Sequence, residues 1–163
     1  MTIRAATAAD SPLLRELAQR TWRVCYPGII SVQQIEFMLG WMYGEEEIAR
    51  QLGAGVPWDI AEDGSEAIGF LSYELERDGR VKLHKLYVLP EQQRRGFGAR
   101  MLEHVMAKAR SLAAREVWMQ VNKCNAQAIA AYKKAGFHIA SEAVFDIGNG
   151  FVMDDYLMAR PVT

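Results

Sequence analysis

The stretch Leu86-Tyr87-Val88-Leu89-Pro90-Glu91-Gln92-Gln93-Arg94-Arg95-Gly96-Phe97-Gly98-Ala99-Arg100 decides how this chain is read. Its first residues suit a strand, Pro90 and two glycines break its middle, and Met101, Leu102, Val105, Met106, Ala109 and Leu112 then recur at helical spacing. A strand over Val81 to Leu89 therefore turns into a long helix over Gly98 to Ala113. Gly96 and Gly98 let the backbone curl so that successive N–H groups point into one concavity, with the positive end of the helix dipole behind them. Arg94, Arg95 and Arg100 add charge suited to phosphate groups. The junction reads as an anion site. It is not a nucleoside-triphosphate loop, because no Lys follows Gly98, and the dinucleotide pattern fails because position 101 is Met.

The same kind of reading extends outward in both directions. Upstream, Ile3 to Ala5 is a short strand, and Asp10 or Ser11 with Pro12 starts a helix bearing Leu13, Leu14, Leu17, Ala18, Thr21 and Trp22 on one face. Ser31 with Gln34 forms a capping box ahead of Ile35, Met38 and Leu39, and Glu45 to Leu52 is a third helix. Trp58 to Glu62 and Glu66 to Leu75 are strands, with Asp63-Gly64 and Asp78-Gly79 as hairpin turns of an antiparallel meander. Downstream lie a strand at Val117 to Val121, a helix at Ala126 to Ala135 ended by Gly136, and a hairpin of His138 to Ile147 with Phe151 to Ala159. The order is β-ααα-βββ-α-β-α-ββ. It requires a twisted, mixed, mostly antiparallel sheet of about seven strands with helices on both faces, and residues 1–163 read as a single domain.

Composition narrows the class. Half of the 163 residues are hydrophobic and 24% are charged, as in a globular protein, and the net charge of −1 gives no bulk attraction to nucleic acid. The total hides a split, with residues 1–80 at net −6 and residues 81–163 at net +5. Cys25 and Cys124 are far apart, without CxxC spacing or a histidine cluster, so neither a disulfide framework nor a metal site is expected. No apolar stretch is long enough to span a membrane and the N-terminus lacks the apolar core of a signal peptide, so the expected location is cytoplasmic.

Gln93-Arg94-Arg95-Gly96-Phe97-Gly98 resembles the Q/R-x-x-G-x-G/A signature with which the GNAT superfamily of N-acetyltransferases binds the pyrophosphate of acetyl-coenzyme A. Asn125-Ala126-Gln127-Ala128-Ile129-Ala130-Ala131-Tyr132-Lys133-Lys134-Ala135-Gly136-Phe137 resembles its second motif, N-x-x-A-x-x-x-Y-x-x-x-G-F. The resemblance spans roughly residues 3–160 and implies transfer of an acetyl group to a primary amine. It implies that backbone groups of Leu86, Tyr87 and Val88 bond the pantetheine arm, and that Gln93, Arg94, Arg95, Gly96, Phe97, Gly98 and Ala99 form the pyrophosphate site. Asn125 would cap the last helix and contact the cofactor. Tyr132 would protonate the departing thiolate as general acid, its alternative being a tyrosine that packs one face of that helix.

The general base is less legible. Position 120, where ribosomal-protein acetyltransferases of the family carry Glu, is Gln120, and the position of the catalytic Glu in histone-type enzymes is Lys82. His84 and Glu74 are the replacement candidates, with a relay of waters as the alternative. For the acceptor, Arg20 to Tyr26, Ile30 to Leu39, Lys85 to Pro90 and the closing hairpin look like the PaiA-type branch, associated with spermidine and spermine. The acids Glu36, Glu45, Glu46, Glu47, Glu74, Glu76, Asp154 and Asp155 would attract such a cationic amine. Trp22, Tyr26, Phe37, Trp41 and Tyr43 read as helix core, part of which lines the acceptor pocket if the resemblance holds. Acetylation of a protein N-terminus or lysine, and a regulatory acetyl-CoA-binding domain with little turnover, are the alternatives. A homodimer is a further expectation from the resemblance.

Overall fold

The computed structural model describes residues 1–163. Strand β1 (Thr2–Ala5) is followed by helices α1 (Ser11–Cys25), α2 (Val32–Met42) and α3 (Glu45–Gly53), then by strands β2 (Trp58–Asp63), β3 (Glu66–Leu75) and β4 (Arg80–Val88). Helix α4 (Phe97–Ser111), strand β5 (Glu116–Asn122), helix α5 (Ala126–Lys134) and strands β6 (His138–Gly148) and β7 (Phe151–Pro161) complete the chain. The order is the one the sequence predicts. The strands form one open, mixed, mostly antiparallel sheet in the order β1-β2-β3-β4-β5-β7-β6, with helices on both faces. Strands β4 and β5 pair in parallel, whereas β5 with β7 and β6 with β7 are antiparallel. The last strand therefore lies between β5 and β6, an insertion that no local sequence signal announces.

The contacts gather into two compact units. The first comprises residues 1–73 and 85–101. Its core holds Leu14, Leu17, Ala18 and Trp22 of α1, Ile35, Met38 and Leu39 of α2, and Ile48 of α3. Trp58, Ile60, Ile68, Phe70 and Leu71 of the strands join them. Each Leu, Ile, Met or Phe among them contributes about 1.5–3 kcal/mol on burial. Ser31 caps α2 by accepting the Gln34 N–H, but the Gln34 side chain turns to Met38 Sδ instead of closing the box. Asp10 carries more of the local order than expected. Its carboxylate accepts the Thr7 N–H, which closes a box around the short 3-10 turn before α1, and also binds Arg4.

The second unit comprises residues 74–84 and 102–163. Val81, Val117, Met119, Val121 and Met158 are buried strand residues there, and α4 buries Leu102, Val105, Met106 and Ala109. Leu112, expected on that apolar face, is 44% exposed, because the helix ends at Ser111 and Ala113 takes a left-handed φ of 53°. No helix is long and apolar enough to cross a membrane.

Candidate active site

Within the first unit, the glycine-containing junction curls at Gly96, as the sequence suggests, and at Arg94 in place of Gly98. Arg94 and Gly96 adopt left-handed φ angles of 62° and 82°, whereas Gly98 does not. Alternating hands of this kind turn neighbouring N–H groups toward one point, and α4 opens directly afterwards at Phe97 with its first N–H groups unpaired in the helix. A Cβ at Gly98 would meet only Val88 Cγ2 at 3.9 Å, an ordinary contact, so the curl is carried by Arg94 and Gly96. Phe97 is buried and anchors the helix start, with the Arg95 guanidinium 4.8 Å from its ring centroid. Arg95 also reaches Gln92 and Asp63, and Arg100 donates to the Met1 carbonyl. Arg94 and Ala99 are exposed.

Gln93 does not face outward as a phosphate donor. Its amide donates to the Val88 carbonyl at 3.0 Å, tying the loop to the end of β4. That carbonyl is one of the backbone groups expected to meet pantetheine, and it already has a partner. Burial along β4 alternates regularly from Arg80 to Lys85 and then slips at Leu86-Tyr87, both half-buried, before Val88. The slip marks where the strand stops being regular. Gly69 of β3 is required beside it: a Cβ there would lie 2.4 Å from the Tyr87 carbonyl oxygen.

An aromatic cluster covers this strand end. The Tyr87 hydroxyl lies 3.1 Å from that of Tyr26, and Trp22, Tyr43, Trp58 and Phe70 join the same set of ring contacts. The Lys85 ammonium is buried against Trp58, 4.8 Å from the ring centroid. Burial drives the Tyr43 hydroxyl well above its ordinary pKa. Of the aromatic residues expected as helix core, Trp22 and Tyr43 are buried, Tyr26 and Phe37 are half-buried, and Trp41 is 53% exposed.

The second unit holds the remaining candidates. Asn125 caps α5 by accepting the Ala128 N–H. Tyr132 stands on α5 with its ring 6.1 Å from that of Phe137, and burial pushes its hydroxyl up to about 12 although the residue keeps some exposed surface. It is therefore a phenol, not a phenolate, across the neutral range. His84 and Glu74, two base candidates chosen separately from the sequence, meet: His84 Nε2 lies 3.3 Å from Glu74 Oε2. A carboxylate beside an imidazole orients the ring and favours its protonated form.

That pair belongs to a polar row on one face of the sheet. Lys82 is in register with Trp118 and stacks on its ring, and Trp118 Nε1 donates to Glu76. Side chains two residues apart share a face, so Trp118, Gln120 and Asn122 of β5 point the same way as Lys82 and His84. Asn122 is in register with Asp155 of β7, which therefore joins the row.

Four of the eight acids expected to attract a cationic acceptor are already paired. Glu36 binds Arg23, Glu45 binds Arg15, Glu47 binds Arg50, and Asp154 binds Lys123 at 2.8 Å. Asp155 differs. It is 1% exposed, and neither carboxylate oxygen has a hydrogen-bond partner. Burial, and then the neighbouring Asp154, push its carboxyl up to about 6, against the opposing pull of the Gln120 amide and of Lys123. The sequence carried a signal for this: consecutive acids on a strand must face opposite sides, so one of Asp154-Asp155 had to point inward.

Comparison with known proteins agrees with the geometry. The model of the acetyltransferase (GNAT) family matches residues 14–137. An uncharacterized N-acetyltransferase of Mycobacterium tuberculosis is 37% identical over 83 residues, covering 51% of this chain and 53% of that protein. The chain thus spans about half the length of that relative. A probable N-acetyltransferase of the same organism is 29% identical over 143 residues, covering 84% of this chain and 79% of the relative. The crystal structure of PaiA N-acetyltransferase from Thermoplasma acidophilum in complex with coenzyme A superposes with a TM-score of 0.79 at 21% identity, covering 99% of each chain. At that identity the likeness speaks for the fold alone. With its family model matched across most of its length and the element order of that fold, the chain belongs to the GNAT family of acetyltransferases.

Proposed function

We propose that the protein is an acetyl-CoA-dependent N-acetyltransferase whose acceptor is a small cationic amine. The observation that carries the reading is the junction from Gln93 to Phe97, where left-handed Arg94 and Gly96 precede the N-terminus of α4 in a family that transfers acetyl groups. Backbone N–H groups from Arg94 to Ala99 are assigned to the pyrophosphate, with Arg94 the exposed cation beside them. Leu86, Tyr87 and Val88 are assigned to the pantetheine arm, and the pinning of Val88 by Gln93 holds that strand end rigid.

In the reaction the amine nitrogen attacks the thioester carbonyl. A C–N bond forms, the carbonyl oxygen gains and then returns its electron pair, and the C–S bond breaks. Tyr132, kept protonated by burial, donates its proton to the departing thiolate and is reprotonated from solvent. The proton lost by the amine passes to His84, which Glu74 orients and whose imidazolium it stabilises. The ring contacts of Trp22, Tyr26 and Tyr87 offer an apolar wall for an alkyl chain. Residues 1–163 are read as one catalytic domain, working in the cytoplasm and able to form a homodimer.

The test is release of thiol from acetyl-CoA with purified protein against alkyl amines, polyamines, amino acids and peptides. Amine-dependent release, with acetylated amine recovered, is expected. Acetyl-CoA binding without release on any acceptor would leave a regulatory binding domain, and release with peptides alone would replace the small-amine assignment.

A further inference from the structure

Two buried hydrogen-bonding groups of the first unit stand unbonded in one aromatic cluster. Trp22 is 2% exposed and Tyr43 is fully buried, and neither Trp22 Nε1 nor the Tyr43 hydroxyl has a hydrogen-bond partner. Other indoles of the chain are served: Trp58 Nε1 donates to Gln51 and Trp118 Nε1 donates to Glu76. A buried N–H or O–H without a partner is costly, so two of them close together mark a place where an acceptor is missing.

The rings bring the two groups together. Tyr43 meets Trp22 edge-on with centroids 5.7 Å apart, and Trp22 also lies 4.2 Å from Tyr26 and 5.9 Å from Tyr87. Trp22 and Tyr87 come near enough to the Tyr43 hydroxyl to oppose the effect of burial on its acidity, yet neither is aligned to bond it. Burial prevails, so the hydroxyl stays protonated and able to donate, and an indole N–H can only donate. What the pair lacks is an oxygen. Tyr26 and Tyr87, whose hydroxyls lie 3.1 Å apart, are half-buried and give the cluster its way out to solvent. The charge bordering it is positive: the buried Lys85 ammonium lies 5.6 Å from the Tyr43 ring centroid and 4.8 Å from that of Trp58. Glu47 of α3 acts on Lys85 electrostatically but is already bound by Arg50 and Gln51. An anionic oxygen suits such surroundings better than a neutral one.

We propose that Trp22 Nε1 and the Tyr43 hydroxyl form a subsite for a carboxylate of the acceptor, so that the preferred amine carries an acid group on the same molecule. This rests on the acetyltransferase reading for its role in turnover, but the binding it predicts can be measured without turnover. An entering carboxylate parts the Tyr26–Tyr87 hydroxyl pair and accepts from Trp22 and Tyr43, while the ring faces cover its carbon chain. Both orphan donors then gain charge-assisted bonds. The subsite adds a selectivity that an apolar wall lacks, since rings hold an alkyl chain whatever group ends it, and a few placed polar atoms are what fix orientation in a pocket.

The experiment uses glycine, γ-aminobutyrate and ε-aminocaproate, each beside its own carboxamide and the alkyl amine of equal carbon count, by calorimetry in the presence of coenzyme A and by thiol release. Wild type should bind at least one of the acids about tenfold or more tightly than both its amide and its alkyl amine. Tyr43→Phe keeps the ring and removes the hydroxyl. It should raise KM for that acid about tenfold, with kcat, alkyl-amine binding and coenzyme A affinity little changed, and without lowering the melting temperature of the free protein. The inference is overturned if no acid is preferred over its amide, or if Tyr43→Phe preserves the preference. It is equally overturned if that variant melts lower and weakens all three probe classes alike, the mark of a hydroxyl that serves the fold. The predicted binding pattern with no thiol release would uphold the subsite and remove the enzymatic reading. Should Tyr43→Phe misfold, Trp22→Phe removes the other donor and must abolish the same preference, and the wild-type comparison of acid with amide stands without any variant.

Discussion

The corner around Asp10 and the strand pair around Asp155 show the same functional group under opposite conditions. Asp10 accepts two hydrogen bonds from Arg4 and one from the Thr7 N–H, and Arg4 also binds Glu62. Those bonds, the Arg4 guanidinium first, hold the Asp10 carboxyl at about 2. Asp155 has burial without a partner and rises to about 6. Both are aspartates with the same side chain, one ending the turn before α1 and one within β7. The difference teaches that a carboxylate supporting the fold is surrounded by donors, whereas one buried with little compensation works against the fold.

The largest effect expected concerns Tyr132, whose hydroxyl is shifted by burial alone, as the carboxyl of Asp155 is chiefly. Tyr132→Phe should reduce kcat by about a hundredfold or more in steady-state thiol release, with acetyl-CoA affinity little changed. Full activity in that variant would break the parallel between burial-shifted groups and function.

Asp155→Leu is expected next, as a gain of stability. The folded carboxyl has its pKa raised, so the stability it carries is present below the unfolded pKa near 3.9 and is lost as pH rises through about 6. Removing the carboxyl should therefore stabilise the protein by about 1–3 kcal/mol at pH 8 in urea denaturation, and much less at pH 4. A variant less stable than wild type at pH 8 would show that the fold needs this carboxylate.

Asp10→Ala gives the contrasting result. Here the folded pKa is depressed, so the contribution is present above the unfolded value near 3.9 and disappears as pH falls through about 2. Because the Arg4 side chain is 41% exposed, solvent screens the pair, and a loss of about 1 kcal/mol at pH 7 is expected, including the lost cap. The penalty should vanish toward pH 2. Smallest of all is Glu47→Gln. Glu47 is held at about 2, chiefly by Arg50 and then by Gln51, yet Arg50 is 66% exposed. A change within about 0.5 kcal/mol is expected by thermal melting, and a larger one would mean that paired surface acids carry more than this comparison allows.

Local rules made much of the molecule legible. Helical spacing from Met101 to Ala109, the turn residues Gly64 and Gly79, and the Ser31 cap all concern residues close in sequence, where side-chain period and backbone φ act directly. The two motifs are equally local, and so the family could be read before any coordinate. Even within the loop, however, the left-handed position fell on Arg94 and not on Gly98, because φ depends on how the turn closes against Val88 through Gln93.

Long-range register decided the rest. Pairing of His84 with Glu74 joins residues on neighbouring strands, and Gly69 is needed only because the Tyr87 carbonyl approaches it. Insertion of β7 between β5 and β6 sets Asn122 opposite Asp155. The sequence by itself determined that Asp154 and Asp155 face opposite ways, since a strand alternates every residue. Only the tertiary structure decided that Asp154 meets Lys123 in solvent while Asp155 turns inward unpaired, because burial and charge pairing are properties of what other strands bring alongside, not of the dipeptide.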